Sequence, residues 1–183
     1  MQDLSGLTRR LIEAQVEFVL VAGFAAVAHG VTLVTRDVDI CCRFSEANLM
    51  RIQTAFANLH PVHRSSPDLP LELTPEQCAS LKDLYLKTDL GIVDCLGEIR
   101  GVGNFESVLQ HSIELELPFG NCRILSASSH KKVLLCSPRD RKTQTGLHAG
   151  TLKYLRLVHD QPALSLNVTF SKVQGLTRWN VTP

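Results

Sequence analysis

The stretch Thr35-Arg36-Asp37-Val38-Asp39-Ile40 decides the fold that we predict for this chain. A strand is predicted over residues 35–44. Side chains two positions apart on a strand point to the same face, so Asp37 and Asp39 should lie side by side. Two adjacent carboxylates repel unless a cation or proton intervenes, and their hard oxygen atoms suit Mg²⁺ or Mn²⁺. Because Asp-x-Asp is also common at solvated strand ends, the motif needs support from other segments.

The segment before this motif combines a strand with a glycine and a helix. Residues 17–22 are rich in β-branched and aromatic side chains, which predicts a buried strand. Gly23 interrupts the strand, and a short Ala-rich helix follows until His29 and Gly30 close it. Free backbone N–H groups at a helix N-terminus can hold a phosphate. The alternative interpretation is a plain tight turn.

A third acid lies in a later apolar stretch. Asp94 is surrounded by Gly91-Ile92-Val93 and Cys95-Leu96, which predicts a strand. A lone carboxylate there needs a partner, and the alternative is a strand-end acid paired with an Arg or Lys. If this strand lies beside Asp37 and Asp39, the three carboxylates would hold two metal ions.

Composition excludes few classes of function. The 183 residues fit one domain, with 44% hydrophobic and 20% charged residues and a net charge of +1. This charge gives no global reason to expect nucleic acid or a membrane as partner. No secretory signal is expected from the first residues, and the six cysteines lack zinc-site spacing. We therefore expect reduced, mostly buried thiols in a cytoplasmic protein.

The remaining segments predict helices and strands that alternate early and strands that pair later. This order indicates a mixed sheet with helices on one or both sides. We expect a domain over residues 1–165 and a C-terminal strand or tail over 166–183. The predicted elements are helices at 3–15, from Ser45 to Leu59, from Thr74, from Asn104 to Leu109, at 127–136 and at 146–158, a loop at 60–73, and a hairpin of strands 113–117 and 122–125.

The order of these motifs resembles the nucleotidyltransferase superfamily that includes DNA polymerase beta. The likeness is greatest to its small bacterial members, with Leu-Val-Gly-Gly, a helix ending in His-Gly, and Thr-x-Asp-x-Asp. The matching stretches here are 19–30, 35–40 and Val93-Asp94-Cys95-Leu96, with a looser match from Lys132 to Asp140. The resemblance implies an α/β (α+β) fold, a nucleotidyltransferase-like mixed β-sheet flanked by helices.

The resemblance also implies a function. A nucleoside monophosphate would pass from an NTP such as ATP to an acceptor hydroxyl, with Mg²⁺ or Mn²⁺ as cofactor. Metal ligands and catalytic residues would be Asp37, Asp39 and Asp94. Nucleotide-binding residues would be Gly23, Phe24 and Lys132. The acceptor stays open between a small molecule, RNA and protein, and a partner protein or second copy could complete its site.

One departure from the family pattern keeps a second function open. Ala22-Gly23-Phe24 stands where Gly-Gly or Gly-Ser is usual, so no serine hydroxyl follows the glycine. Phosphate binding would then depend on backbone amides. The alternative is a non-catalytic nucleotidyltransferase-fold protein that works by binding, such as the antitoxin-like partner of a two-protein system. A plain structural protein with an incidental acid cluster is the third interpretation.

Overall fold

The computed structural model describes residues 2–29, 35 and 37–129, and the backbone of residues 167–173 and 176–182. The helices of these ranges are α1 Leu4–Glu13, α2 Ala22–Ala28, α3 Glu46–Phe56, α4 Pro75–Ser80 and α5 Phe105–Gln110. The strands are β1 Phe18–Leu20, β2 Asp37–Cys42, β3 Val62–His63, β4 Ser66–Pro70, β5 Asp83–Thr88, β6 Gly91–Leu96, β7 Glu98–Ile99, β8 Gly103–Asn104, β9 Ser112–Leu117, β10 Gly120–Leu125, β11 Asn167–Val173 and β12 Leu176–Thr182.

Most strands belong to one mixed sheet. Its order is β12-β11-β9-β10-β1-β2-β6-β5-β3-β4, and β7 pairs with β8 separately. At the centre, β1 runs antiparallel to β2 and parallel to β10, while β2 runs parallel to β6. The prediction of a mixed sheet flanked by helices is confirmed. The two central parallel pairings matter most, because they determine which side chains meet across the sheet.

The two faces of the sheet carry cores of different size. On one face, α1 and α3 bury the larger cluster, with Leu7, Leu11, Ile52 and Phe56 almost inaccessible to solvent. On the other face, α5 covers a smaller cluster through residues such as Val108. Beside the smaller cluster, the strands β2, β6 and β5 place polar side chains on the same face of the sheet.

Local signals in the sequence place several helix starts correctly. The Ser45 side chain accepts a hydrogen bond from the N–H of Asn48, and Asn104 accepts one from Ser107. Thr74 and Gln77 form the reciprocal capping box that their spacing predicts. The hairpin predicted from 113–117 and 122–125 is confirmed as β9 and β10.

The loop predicted over residues 60–73 is wrong, because this segment contains the hairpin of β3 and β4. Strand β4 lies at the edge of the sheet, and all five of its residues are exposed. Prolines lack an N–H group and are tolerated in edge strands, where no ladder bond is lost on the open side. Pro67 and Pro70 therefore fit a strand that their number alone argued against.

Other predictions fall partly or wholly outside the described ranges. Residues 127–129 are helical, whereas the rest of the predicted helix to 136 and the one at 146–158 lie outside. Strands β11 and β12 pair with each other near the C-terminus, and the domain boundary at 165 stays a prediction. The five described cysteines are free and buried, as expected. Among the described helices, none is long and apolar enough to cross a membrane.

Candidate metal and nucleotide site

Three carboxylates converge on the face of the sheet that also carries the smaller core cluster. Asp37 and Asp39 alternate with buried Val38 on β2, so both side chains leave the core on the same side. The parallel pairing of β2 with β6 puts Asp39 directly opposite Asp94. One oxygen from each of the three carboxylates lies within 4.8 Å of the others. The structure thus brings together the three acids that the sequence singled out.

The electrostatic state of Asp39 reflects this crowding. Burial is the largest factor that raises the pKa of Asp39, from an ordinary 3.8 to about 7. The negative charges of Asp37 and Asp94 raise it further, and the positive charge of Arg64 opposes them. A carboxyl group whose ionised form is so disfavoured gains from any cation that enters the cluster.

The other two acids have partners from nearby segments. The Thr35 hydroxyl donates to Asp37 Oδ1 at 3.0 Å, which orients that carboxylate. Asp94 is only 8% exposed. It accepts hydrogen bonds from Arg64, whose Nη1 lies 2.8 Å from both Asp94 oxygens. Asp94 therefore does both of the things that the sequence left open: it pairs with an arginine, and it belongs to the acid cluster.

Among the described residues, Arg64 is a site residue that sequence reasoning missed. It lies in the two-residue turn between β3 and β4, within the segment predicted as loop. Its guanidinium also stacks on Tyr85, with its central carbon 5.3 Å from the ring centroid. No local pattern marks such a residue, because it reaches Asp94 only after β3, β5 and β6 have paired.

Helix α2 begins next to the acids. Strand β1 ends at Leu20, and the next N–H group, that of Val21, donates to the carbonyl of Asp39 at 3.0 Å. Gly23 follows in the first turn of α2, half-buried. Phe24 is 1% exposed and packs into the larger core. Of the predicted nucleotide-binding pair, Phe24 can therefore offer a ligand its backbone but not its ring.

His29 closes α2, as its position before Gly30 indicated. Its N–H group bonds back to Ala25, and its Nε2 donates to the carbonyl of Leu125 at 2.8 Å. Burial lowers the pKa of His29 below its ordinary value, and the bond to Leu125 opposes that shift. His29 thus ties the end of α2 to β10. Lys132, the third predicted nucleotide contact, and Arg36 lie outside the described residues.

The donor set of the cluster fits a hard divalent cation. Mg²⁺ binds oxygen ligands at about 2.1 Å and is usually held by carboxylates together with substrate phosphates. The carboxylate oxygens lie close enough for small side-chain rotations to bring them onto one ion. The raised pKa of Asp39 adds the electrostatic demand for positive charge. The same oxygen ligands also suit Mn²⁺.

Comparison with solved structures reveals a similar fold. A provisionally assigned nucleotidyltransferase from Thermotoga maritima superimposes with a TM-score of 0.52 and 16% sequence identity, over 84% of this chain and 91% of that one. At this identity the likeness shows the fold alone. No family model and no curated protein sequence matches the chain.

Proposed function

We propose, from the premise that this chain has a nucleotidyltransferase-like fold, that it transfers a nucleoside monophosphate from an NTP to an acceptor hydroxyl. The observation that carries the proposal is the convergence of Asp37, Asp39 and Asp94 within 4.8 Å. Fold alone does not fix function, so the site has to supply the argument. Three carboxylates crowded together, one buried and two partly buried, cost stability unless a cation compensates their charge, and a bound metal ion supplies that compensation.

The position of each residue in the site suggests its role in the proposed reaction. Asp37 and Asp39, neighbours on one strand, would hold the metal ions, and Asp94 would complete the site from the adjacent strand. Bound Mg²⁺ or Mn²⁺ would neutralise phosphate charge and increase the acidity of the attacking hydroxyl. Gly23 and Phe24 would meet the β- and γ-phosphates through backbone N–H groups, since the Phe24 ring is buried. Lys132 would contact the triphosphate.

The transfer itself is a displacement at the α-phosphorus. The acceptor oxygen forms a bond to phosphorus, and the bond from phosphorus to the pyrophosphate oxygen breaks. The Asp94 carboxylate would take up the proton of the acceptor hydroxyl as the oxygen attacks, and pyrophosphate is the leaving group. Most of the rate enhancement would come from positioning and charge neutralisation, because the chain supplies no covalent nucleophile in this scheme.

The test is metal-dependent transfer of label from α-labelled NTP to candidate acceptors of each class, namely small molecules, RNA and protein. Asp39→Asn should reduce transfer at least about 100-fold, the scale expected when a preorganised charge contact is lost. Asp68→Asn, which removes an exposed carboxylate from β4, is the matched control and should leave transfer unchanged. Failure of NTP and Mn²⁺ to bind at millimolar concentration would overturn the proposal.

A second candidate is a non-catalytic binding protein, such as the antitoxin-like member of a two-protein system. The observation that favours it is the turn at the start of α2, where Ala22 has a positive φ of 50° and Phe24 points into the core. No side-chain hydroxyl is present there for a phosphate. A co-purifying partner, together with full biological function after Asp39→Asn, would decide for this candidate.

A further inference from the structure

Arg64, Tyr85 and Asp94 form a row that runs from the turn after β3 across β5 to β6. Residue His63 of β3 pairs with β5, and the N–H of Arg64 donates to the carbonyl of Tyr85 at 2.9 Å. Tyr85 in turn lies opposite Asp94 in the antiparallel pairing of β5 and β6. The backbone of Arg64 is thus fixed at the far side of Tyr85. Its side chain crosses the Tyr85 ring to reach the acid cluster.

The guanidinium takes the place at Asp94 that a cation would take. A single nitrogen, Nη1, lies 2.8 Å from both oxygens of Asp94. The Tyr85 ring supports the guanidinium from below at 5.3 Å, a contact that favours positive charge. The Arg64 side chain is 39% exposed, so it can leave the carboxylate toward solvent without disturbing the core.

We propose that Arg64 is a tethered counter-ion that occupies Asp94 and has to release it before a metal ion binds there. The inference rests on the proposed metal-dependent function and deepens it, because it makes Arg64 a positioning residue that sets the affinity of the site for metal. The Arg64–Tyr85 backbone bond keeps the released side chain beside the site.

The experiment is a Mn²⁺ titration of the full chain without nucleotide, followed by electron paramagnetic resonance or calorimetry. Arg64→Gln removes the competing charge and should bind Mn²⁺ roughly fivefold more tightly, since a charge pair worth about 1 kcal/mol corresponds to that ratio. Arg64→Lys keeps the charge and should stay near the original affinity. Tyr85→Leu removes the support beneath the guanidinium and should tighten binding by a smaller factor than Arg64→Gln.

Arg43 provides a matched control. It also pairs with carboxylates, those of Glu17 and Glu106, and also stacks on an aromatic ring, that of Phe105. Its side chain is 38% exposed, close to the value for Arg64. Arg43→Gln should leave Mn²⁺ affinity unchanged, because its partners lie outside the acid cluster.

The sign of the effect separates this role from a structural one. If Arg64 only held Asp94 in place, Arg64→Gln would weaken Mn²⁺ binding. Equal or weaker binding by Arg64→Gln therefore overturns the inference and leaves the proposed function standing, provided that the original protein binds Mn²⁺. Absence of Mn²⁺ binding by the original protein and by every variant overturns both. If Arg64→Gln does not fold, Tyr85→Leu provides the test: tighter Mn²⁺ binding than that of the original protein supports the inference, and equal or weaker binding overturns it.

Discussion

Replacing Asp39 by asparagine should stabilise the metal-free protein at alkaline pH. The pKa of Asp39 is raised from 3.8 to about 7, first by burial and then by Asp37 and Asp94. The folded state therefore keeps this proton to higher pH than the unfolded chain does. The stability that this group contributes is fully present below about pH 4, and it is lost as pH rises through about 7.

The size of the effect follows from the same pKa values. A shift from 3.8 to about 7 corresponds to roughly 4 kcal/mol at full ionisation. Because Asp39 is only partly buried, solvent screening should reduce this to roughly 2–4 kcal/mol. Asn is neutral at every pH and avoids the cost. For a chain of this length the gain corresponds to an increase in Tm of roughly 5 to 15 °C near pH 8, and to almost none near pH 4.

Thermal unfolding followed by circular dichroism, at both pH values and with a chelator present, measures this difference. Addition of Mn²⁺ should then offset most or all of this stability difference near neutral pH. The original protein should gain about 3 kcal/mol at a metal concentration near a hundred times Kd, and Asp39→Asn should gain little. Asp68→Asn removes the same charge from exposed β4 and is the control for net charge.

Two results would refute this reasoning. One is a Tm for metal-free Asp39→Asn that is equal to or below that of the original protein near pH 8. The other is a stability difference that does not shrink as pH falls toward 4, because an effect of packing would not follow the ionisation of a carboxylate. Either result would mean that the pKa of Asp39 is not raised in solution, because β2 moves or because Arg64 pairs with Asp39 instead of Asp94.

Three further substitutions test the structure around the site. Asn48→Ala should lower the free energy of unfolding by about 3 kcal/mol, since the fully buried amide makes three hydrogen bonds to the backbone of residues 17 and 43. A loss below about 1 kcal/mol in denaturant unfolding would contradict this prediction. Ala22→Gly should raise stability by up to about 1 kcal/mol, because φ is 50° there, and a loss in Tm would contradict it. Gly97→Ala should cost about 2 kcal/mol or more, because a Cβ would lie 2.6 Å from the carbonyl of Lys82, and an unchanged Tm would count against that contact.

The acids could be found in the sequence because their signal is local. Asp37 and Asp39 share a face by strand geometry alone, and Asp94 stands out as a charge within an apolar strand. That these strands are parallel neighbours, with Asp39 opposite Asp94, depends on the pairing of the whole sheet. The sequence indicated that pairing only through resemblance to a family, not through any pattern in the two strands themselves.

Arg64 shows where such reasoning fails. Strand β4 is exposed on every residue, so it has no alternation of polar and apolar side chains to reveal it. Its prolines favour a loop, and only the position of the strand at the sheet edge makes them acceptable. A residue in a turn between two such strands has no recognisable periodic neighbours. Its contact with Asp94 spans 30 positions in the chain.

The direct pairing of Asp39 with Asp94 also constrains how this protein can change over generations. Thr88 clamps the turn before β6 by accepting hydrogen bonds from the N–H groups of Leu90 and Gly91 and donating to the carbonyl of Gly91. An insertion or deletion of one residue that slid β6 by one position would turn Asp94 into the core and bring Val93 or Cys95 to the acids. Insertions and deletions near this turn are therefore tolerable only where Asp94 stays on the same face of the sheet. We expect functional homologues to keep this spacing while the outer hairpin varies freely in length.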